Sequence, residues 1–148
     1  MQWDFPQPYI HKVCVEAEHV DGLHHANNAE YVRWCERAAW LHSVELGLDV
    51  THYQEMDRGM AIRQAEYDYI LAAREGDELL IGTWLTMVDG RLNMTREFQV
   101  YRALDEALVL RAAWQMVCIE LSSGKPKRMP QTFKDIYSPA VVEDIARR

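Results

Sequence analysis

Residues 20–31 contain the residue types with which a protein could carry out acyl transfer. Asp21 lies in a turn-forming Asp-Gly pair, and Asn27 and Asn28 follow where a helical pattern begins. A helix N-terminus offers unpaired backbone N–H groups and the positive end of a dipole, and both suit a developing oxyanion. A nearby carboxylate supplies a base or a nucleophile. The combination therefore favours acyl-transfer chemistry.

The helix that positions these groups is predicted from Asn28 to Leu46. Asn27 is a preferred N-cap residue, and Glu30, three positions later, fits the pattern of a capping box. Gly47 is a typical residue at which a helix ends. Residues along one side of the segment recur at helical spacing: Tyr31, Trp34, Cys35, Ala38, Leu41 and Val44.

The same stretch resembles the signature of a known enzyme family. Asp21, Tyr31 ten residues later, and the run Arg-Trp-Cys-Glu-Arg-Ala at 33–38 are similar to the hotdog-fold thioesterases. The most similar branch is that of 4-hydroxybenzoyl-CoA thioesterase and related acyl-CoA thioesterases. The run Leu-His-His-Ala-Asn-Asn-Ala at 23–29 resembles the Leu-Gly-His-Val-Asn-Asn-Ala form of that superfamily. It departs from that form at one position, where His24 stands in place of the turn glycine.

The resemblance implies hydrolysis of an acyl-CoA thioester, with CoA as part of the substrate and no separate cofactor. Asp21 would either attack the thioester carbonyl or deprotonate a water molecule, and the sequence leaves both routes open. The backbone N–H of Asn28 falls where the family has its oxyanion donor. His25 matches a family histidine and is expected to contact the acyl or pantetheine end. Asn27 and Tyr31 are further candidates for substrate binding.

The charge of the chain restricts its partners. The 148 residues carry a net charge of −7, which argues against nucleic acid because phosphate binding requires an excess of Lys and Arg. CoA is also polyanionic, so an enzyme of this charge that uses CoA needs a local basic patch. Lys125, Lys127 and Arg128 form the densest candidate, and we predict that they contact the nucleotide phosphates of CoA. The same residues would dock an acyl carrier protein if that protein delivered the thioester.

Other classes of protein and of site find little support. No apolar run approaches the length of a membrane span, and the first residues do not resemble a secretory signal, which predicts a cytoplasmic protein. Cys14, Cys35 and Cys118 lie far apart among apolar neighbours and are expected to be reduced core residues. His24 and His25 lack a third ligand at a suitable spacing, so no metal site is predicted. The nucleophile elbow of serine hydrolases and the glycine-rich phosphate loops are also missing from the sequence.

The remaining patterns predict an α+β fold in a single domain, 1–148. The expected architecture is the hotdog fold, an antiparallel sheet of about five strands wrapped around one long central helix, with turns at 76–77 and 89–90. A short helical extension is predicted at 138–148. The predicted strands are 10–20, 61–73, 79–88, 92–100 and 109–121.

The sheet is expected to expose one edge strand, whose unpaired backbone groups could pair with other chains and cause aggregation. Pairing of two such edges in a dimer removes this exposure. The resemblance implies a homodimer or homotetramer with active sites at the dimer seam. Three functions stay open: an acyl-CoA thioesterase, an acyl-carrier-protein thioesterase, and a non-catalytic hotdog module that binds an acyl ligand or a partner. The presence of Asp21 favours the two enzymes, whereas the departure at His24 mildly favours the third.

Overall fold

Five strands form one antiparallel sheet in the computed structural model, which describes residues 1–143. They are β1 Tyr9–Cys14, β2 Arg58–Tyr69, β3 Glu78–Val88, β4 Asn93–Arg102 and β5 Ala107–Glu120. The order across the sheet is β1-β3-β4-β5-β2, so β1 and β2 are the two edges. The predicted antiparallel sheet of five strands is thereby confirmed.

Two of the predicted turns are found, one between β3 and β4 and one directly before β3. Asp89 closes the hairpin between β3 and β4, because its Oδ1 accepts the backbone N–H groups of Arg91, Leu92 and Asn93 at 2.8, 2.9 and 3.0 Å. Gly76 lies in the turn before β3 and has a φ of 88°, a conformation that glycine adopts without a steric penalty.

Three α-helices occur within residues 1–143, which corrects the expectation of one long central helix. Helix α1 spans Asn28–Leu46, the predicted bounds, and packs against β1 and β3. Helices α2, Val50–Met56, and α3, Gln131–Tyr137, were not predicted. Each has seven residues, about two turns, which is shorter than the window of roughly 11–18 residues over which helical periodicity is recognised in a sequence. The buried side chains of α1 are Tyr31, Trp34, Cys35, Ala38, Ala39 and Ser43.

The first strand is shorter than predicted. β1 ends at Cys14, whereas the sequence suggested a strand to residue 20, and Ala17–His19 forms a 3-10 helix. Val15 still pairs with the turn before β3, since its N–H donates to Asp77 at 2.9 Å and its carbonyl accepts from Gly76 at 2.8 Å. The chain leaves the sheet after this point and approaches the start of α1.

The predicted C-terminal helical extension, 138–148, is described only as far as residue 143. Ser138–Ala140 forms a 3-10 helix, and Val141 then forms a parallel bridge with Leu85. The N–H of Val142 then donates to the carbonyl of Leu85 at 3.0 Å. β3 has a register shift directly after Leu85, and the chain end uses a backbone acceptor at that irregularity instead of continuing as a helix. Residues 144–148 of the predicted extension lie outside the described residues.

The cysteines differ in burial. Cys35 and Cys118 are buried, as predicted, but Cys14 is exposed, and all three are free thiols. Cys14 closes β1 with its side chain on the solvent side of an alternating strand, which corrects its assignment to the core. In the described part of the chain, no helix is both long and apolar enough to cross a membrane.

A buried chain of hydroxyl groups fastens α3 to the rest of the core. The Ser43 hydroxyl donates to the carbonyl of Leu48 at 2.7 Å, so Ser43 Oγ is left to accept from Tyr137, whose hydroxyl lies 2.7 Å away. Tyr137 is then free to accept from the hydroxyl of Tyr53. All donors therefore point the same way, toward a backbone carbonyl. Burial raises the pKa of Tyr137, which keeps its hydroxyl protonated.

Replacement of Tyr137 by Phe should destabilise the fold, because it leaves the buried hydroxyl of Tyr53 without an acceptor. We expect the free energy of unfolding to fall by about 1–3 kcal/mol, measured by urea denaturation. Tyr69→Phe is the matched control, since Tyr69 is 41% exposed and should change stability by less than about 0.5 kcal/mol. Equal effects of the two variants would contradict the role of the hydroxyl chain.

Candidate functional site

A tight hairpin places Asp21 beside the start of α1. The backbone N–H of Asp21 donates to the carbonyl of His25 at 2.9 Å, and the N–H of His24 donates to the carbonyl of Asp21 at 3.0 Å. The same turn orients the carboxylate, because Oδ1 of Asp21 accepts from the N–H of Leu23 at 2.8 Å and from that of His25 at 3.4 Å. Within residues 1–143, both of these side-chain hydrogen bonds use Oδ1. Oδ2 is therefore the oxygen available to attack a carbonyl or to accept a proton.

His24 adopts the conformation that a turn glycine would take. Its φ is 64°, in the left-handed region that L-residues enter at a cost of roughly 1–2 kcal/mol. A hairpin loop of this kind commonly requires a left-handed residue at its last loop position, before the second strand resumes. His24 therefore takes the left-handed conformation of this loop position although it is not a glycine.

The N-terminus of α1 is capped by Asn27. Its Oδ1 accepts the backbone N–H of Ala29 at 3.0 Å, as predicted for an N-cap residue. The predicted capping box is wrong, because the side chain of Glu30 pairs with Arg33 at 2.6 Å and does not return to the N-cap backbone. The backbone N–H of Asn28 finds no acceptor within the described residues. As the first residue of the helix, Asn28 thus presents a free donor at the positive end of the dipole.

Ala73 ties the segment after β2 to the start of α1. Its carbonyl accepts the N–H of Ala26 at 2.8 Å, and its own N–H donates to the hydroxyl of Tyr31 at 3.0 Å. His25 and Arg74 form an isolated antiparallel bridge alongside. Tyr31 is 2% exposed, and burial raises its pKa, so it is a neutral residue anchored at both its ring and its hydroxyl.

These contacts enclose a cavity of about 210 Å³ at the start of α1. Four of the predicted site residues line it together: Asp21, His25, Asn28 and Tyr31. The residue that carries the carboxylate and the residue that carries the free helical N–H thus line one space, which is large enough for a carbonyl group. The opposite wall, which the sequence analysis did not identify, is the end of β2 and the residues after it: Tyr69, Ile70, Leu71 and Ala72.

Asn27 lies outside this cavity. Its side chain is engaged at the N-cap, and it is not among the described residues that line the space. It acts on the cavity by fixing the start of α1.

The basic segment lies far from Asp21 within one chain. Lys127 binds Glu120 at the end of β5 at 2.7 Å, and the carbonyl of Arg128 accepts from Arg58 at the start of β2. Arg58 pairs with Glu120 at one end of the β2–β5 ladder, whereas Tyr69 lies at the other end. At about 3.3 Å per residue, the two ends are separated by roughly 35 Å. Lys125, Lys127 and Arg128 are therefore not brought to the Asp21 cavity of their own chain.

A second cavity, of about 240 Å³, lies beside the C-terminal half of α1 and contains a residue that the sequence analysis missed. Arg96 lines this cavity and is 2% exposed. It occupies an inward position of β4 between Met94 and Phe98, where the alternation calls for an apolar side chain. A charged residue that interrupts an apolar alternation was the available signal. The first cavity differs from this one in that it combines Asp21 with a helix N-terminus. No cluster of three His, Cys, Asp or Glu side chains suited to a metal ion occurs in residues 1–143.

Comparison with protein families gives one match. The sequence profile of the thioesterase-like superfamily matches residues 15–137, which include the hairpin, α1 and the whole of β2 to β5. No curated protein sequence is significantly similar to the chain.

Solved structures share the fold at low sequence identity. A 1,4-dihydroxy-2-naphthoyl-CoA thioesterase from Synechocystis is 20% identical, with a TM-score of 0.79 over 89% of this chain and 96% of its own. A hypothetical protein from Staphylococcus aureus, solved in complex with CoA, is 15% identical, with a TM-score of 0.82 over 91% of this chain and 86% of its own. A 12:0-ACP thioesterase from Umbellularia californica is 13% identical, with a TM-score of 0.83 over 94% of this chain and 52% of its own.

The left-handed conformation of His24 makes a prediction about stability. His24→Gly should leave the free energy of unfolding unchanged or raise it by up to about 1 kcal/mol, because relief of the left-handed strain offsets the added entropy of the unfolded chain. The neighbouring Leu23→Gly is the control. Leu23 is 76% exposed and has no positive φ, so glycine there should lower stability by about 0.4–1 kcal/mol. Thermal unfolding of both variants tests this. A larger loss in His24→Gly than in Leu23→Gly would refute the interpretation.

Proposed function

The chain belongs to the thioesterase-like superfamily, and from this premise we propose that it hydrolyses an acyl-CoA thioester to the free acid and CoA. The observation that carries the proposal is the cavity lined by both Asp21 and Asn28, the first residue of α1. A carboxylate and a preorganised N–H donor are the two groups that hydrolysis of a thioester requires. The expected compartment is the cytoplasm, where three free thiols stay reduced.

In the proposed reaction, the thioester carbonyl lies with its oxygen against the free N–H of Asn28. As the carbonyl carbon becomes tetrahedral, negative charge grows on that oxygen, and the N–H together with the helix dipole stabilises it. The charge then returns to re-form the carbonyl, the C–S bond breaks, and CoA leaves as the thiolate.

Asp21 can act in either of two ways. If its Oδ2 attacks the carbonyl carbon, a mixed anhydride forms and water later hydrolyses it. If Oδ2 instead takes a proton from water, the hydroxide attacks and yields the acid in one step. Single-turnover hydrolysis in oxygen-18 water distinguishes the routes, since label that enters the side chain of Asp21 supports the anhydride.

Two predicted binding residues fit the walls of the cavity. His25 lines the same cavity as Asp21, which supports its proposed contact with the acyl or pantetheine end. The ring of Tyr31 forms a rigid wall, because its hydroxyl is held by Ala73. Asn27 contributes through the N-cap. The acyl group, including the 4-hydroxybenzoyl group of the resembled branch, is to be identified by a hydrolysis screen over short, medium, long and aromatic acyl-CoAs.

A dimer would bring the basic segment to the cavity. β2 is an edge strand of 12 residues. Antiparallel pairing of the β2 strands of two subunits would provide hydrogen-bond partners for the unpaired backbone groups of both edges. Such pairing sets the Arg58 end of one strand beside the Tyr69 end of the other. Because Arg128 lies against Arg58, the basic segment of one subunit would approach the Asp21 cavity of its partner. We therefore propose at least a homodimer in which Lys125, Lys127 and Arg128 bind the CoA phosphates across the interface.

An acyl-carrier-protein thioesterase is the second candidate, because the same basic segment would then dock the carrier. The fold similarity to a 12:0-ACP thioesterase is consistent with it, although this chain spans about half of that protein's length. Comparison of turnover on matched acyl-CoA and acyl-carrier substrates distinguishes the two. Saturable ligand binding without hydrolysis of any thioester would favour a non-catalytic binding module.

The cross-subunit site predicts complementation between two variants that are each impaired at acyl-CoA concentrations below the wild-type KM. Neutralising Lys125, Lys127 and Arg128 together should raise KM for acyl-CoA more than it lowers kcat, because remote phosphate contacts contribute mainly uniform binding. A truncated substrate without the nucleotide should be almost unaffected. Co-expression of this triple variant with Asp21→Asn should restore activity, since one site of each mixed dimer then has both sets of residues. A stable monomer by light scattering, or no restored activity in verified mixed dimers, would overturn the cross-subunit arrangement.

Replacement of Asp21 by Asn tests the main proposal. Asn retains an Oδ1 acceptor for the N–H of Leu23, so the hairpin should still form, but the negative charge is lost. We expect kcat to fall at least about a hundredfold with little change in substrate affinity. Asp89→Asn is the control, because Asp89 accepts backbone N–H groups in another turn and lies outside the cavity. Near-wild-type turnover by a folded Asp21→Asn enzyme would show that Asp21 is a turn residue only.

A further inference from the structure

The second cavity lies between the C-terminal half of α1 and the sheet, apart from the proposed reaction site. Its wall is mostly apolar, with thioether and indole groups from α1, β2, β4 and β5: Trp40, Met60, Met94, Trp114 and Met116. Tyr53 and Tyr137 add two hydroxyl groups, and Arg96 adds a positive charge. With about 240 Å³, the space accommodates a small organic molecule.

The charge of Arg96 is not balanced by its own chain. The side chain is 2% exposed, and no ion pair joins it to an acid within residues 1–143. Glu36 also lines the cavity, but it is an exposed residue of α1. Burial lowers the pKa of Arg96 to about 10, which still leaves the guanidinium protonated at neutral pH. A buried charge is costly unless an opposite charge compensates it.

The hydrogen bonds of Arg96 leave one edge of the guanidinium without a partner among the described residues. Nη1 donates to Nδ1 of His42 at 2.9 Å and to Oγ1 of Thr83 at 3.1 Å. His42 is neutral here, because burial and the adjacent Arg96 lower its pKa to about 4. Nε is buried and has no partner in the described part of the chain. The edge formed by Nε and Nη2 is the one that pairs side-on with the two oxygens of a carboxylate.

We propose that this cavity binds a small organic carboxylate with an apolar body, whose two oxygens pair with the unpartnered Nε–Nη2 edge of Arg96. A monoanion suits the site, because one guanidinium is the only cation that lines the cavity among residues 1–143. The thioether and indole groups enclose the apolar body. The charge explains why Arg96 occupies a position in the core that its neighbours in β4 fill with apolar side chains.

The carboxylate site is separate from the proposed reaction site within one chain. Asn28 and His42 are 14 positions apart on α1, which corresponds to roughly 20 Å along the helix axis. Two sources of the ligand share the same chemistry: a free carboxylic acid, and the far end of a long acyl chain that carries a terminal carboxylate. The experiments below separate them.

Calorimetric titration of the full-length protein with hexanoate and benzoate, and with hexanamide and benzamide, tests the charge directly. The amides match the acids in shape and lack the negative charge. We expect saturable binding of at least one acid, and binding at least roughly tenfold weaker for its amide. Equal affinity of acid and amide, or no saturable binding of either acid, would overturn the proposal and leave a cavity that holds solvent only.

Variants of Arg96 locate the binding. In Arg96→Met the affinity for the acid should fall to the affinity for the amide. In Arg96→Lys the acid should still bind more tightly than the amide, but by a smaller factor than in the wild-type protein. Arg111→Met is the control for loss of positive charge, because Arg111 pairs with Asp4 at the surface and does not line the cavity. Unchanged acid binding in folded Arg96→Met would refute the site. If that variant does not fold, the affinities of the wild-type protein for the acid and for the amide still test whether a carboxylate binds.

Two further measurements identify the source of the carboxylate. Preference for a long-chain dicarboxyl thioester, 1,16-hexadecanedioyl-CoA over palmitoyl-CoA, that disappears in Arg96→Met would assign the site to the end of the acyl chain. Binding of free acid without such a preference would assign it to a separate small acid. The titrations need no turnover, so failure of the proposed hydrolysis and failure of the carboxylate site are distinguishable.

Discussion

The burial of one side of α1 against the sheet is the constraint on which both cavities depend. Tyr31, Trp34, Cys35, Ala38 and Ala39 can leave water only if the helix lies along the inner surface of the strands. Once α1 packs on the sheet, the direction of its dipole and the position of its first free N–H relative to the strands are fixed. Asn27 sets where the helix starts, and the contacts of Ala73 hold that start against the exit of β2.

The same packing explains why the proposed chemistry collects at one end of the helix. The hairpin that holds Asp21 pairs with the segment after β2, and both lie over the N-terminal turn of α1. One carboxylate oxygen is oriented by backbone N–H groups, while the other stays free for reaction. His24 stores a small strain in this hairpin, and such strain is tolerated where the surrounding hydrogen bonds over-determine the backbone.

The other half of α1 encloses a different kind of space. There the helix and sheet bury a guanidinium next to a neutral histidine and a directed chain of hydroxyl groups. Polar groups inside a core are costly unless they are satisfied, and most of these are paired with one another. Arg96 is the exception, because its buried Nε has no partner among the described residues and the residue lines a cavity.

The sequence by itself determined the local features of this protein. The bounds of α1, the N-cap at Asn27 and the turns at Gly76 and Asp89 follow from propensities that act within a few residues. The group of Asp21, His25, Asn28 and Tyr31 could be predicted because the four lie within eleven residues of one another. The capping box was wrong because Arg33 competed for Glu30, a side-chain choice that no short-range pattern decides.

Only the tertiary structure decided which distant residues meet. It supplied a wall of the Asp21 cavity that begins at Tyr69, the end of β2, 48 positions after Asp21, and it placed residues 141–142 against an irregularity in β3. It also separated the basic segment from Asp21, because the two lie at opposite ends of the β2–β5 ladder. Arg96 shows the physical reason most directly. The alternation in β4 reveals that its side chain points inward, but only the packing of α1, α2 and α3 around it decides that its charge is left unpaired beside a cavity.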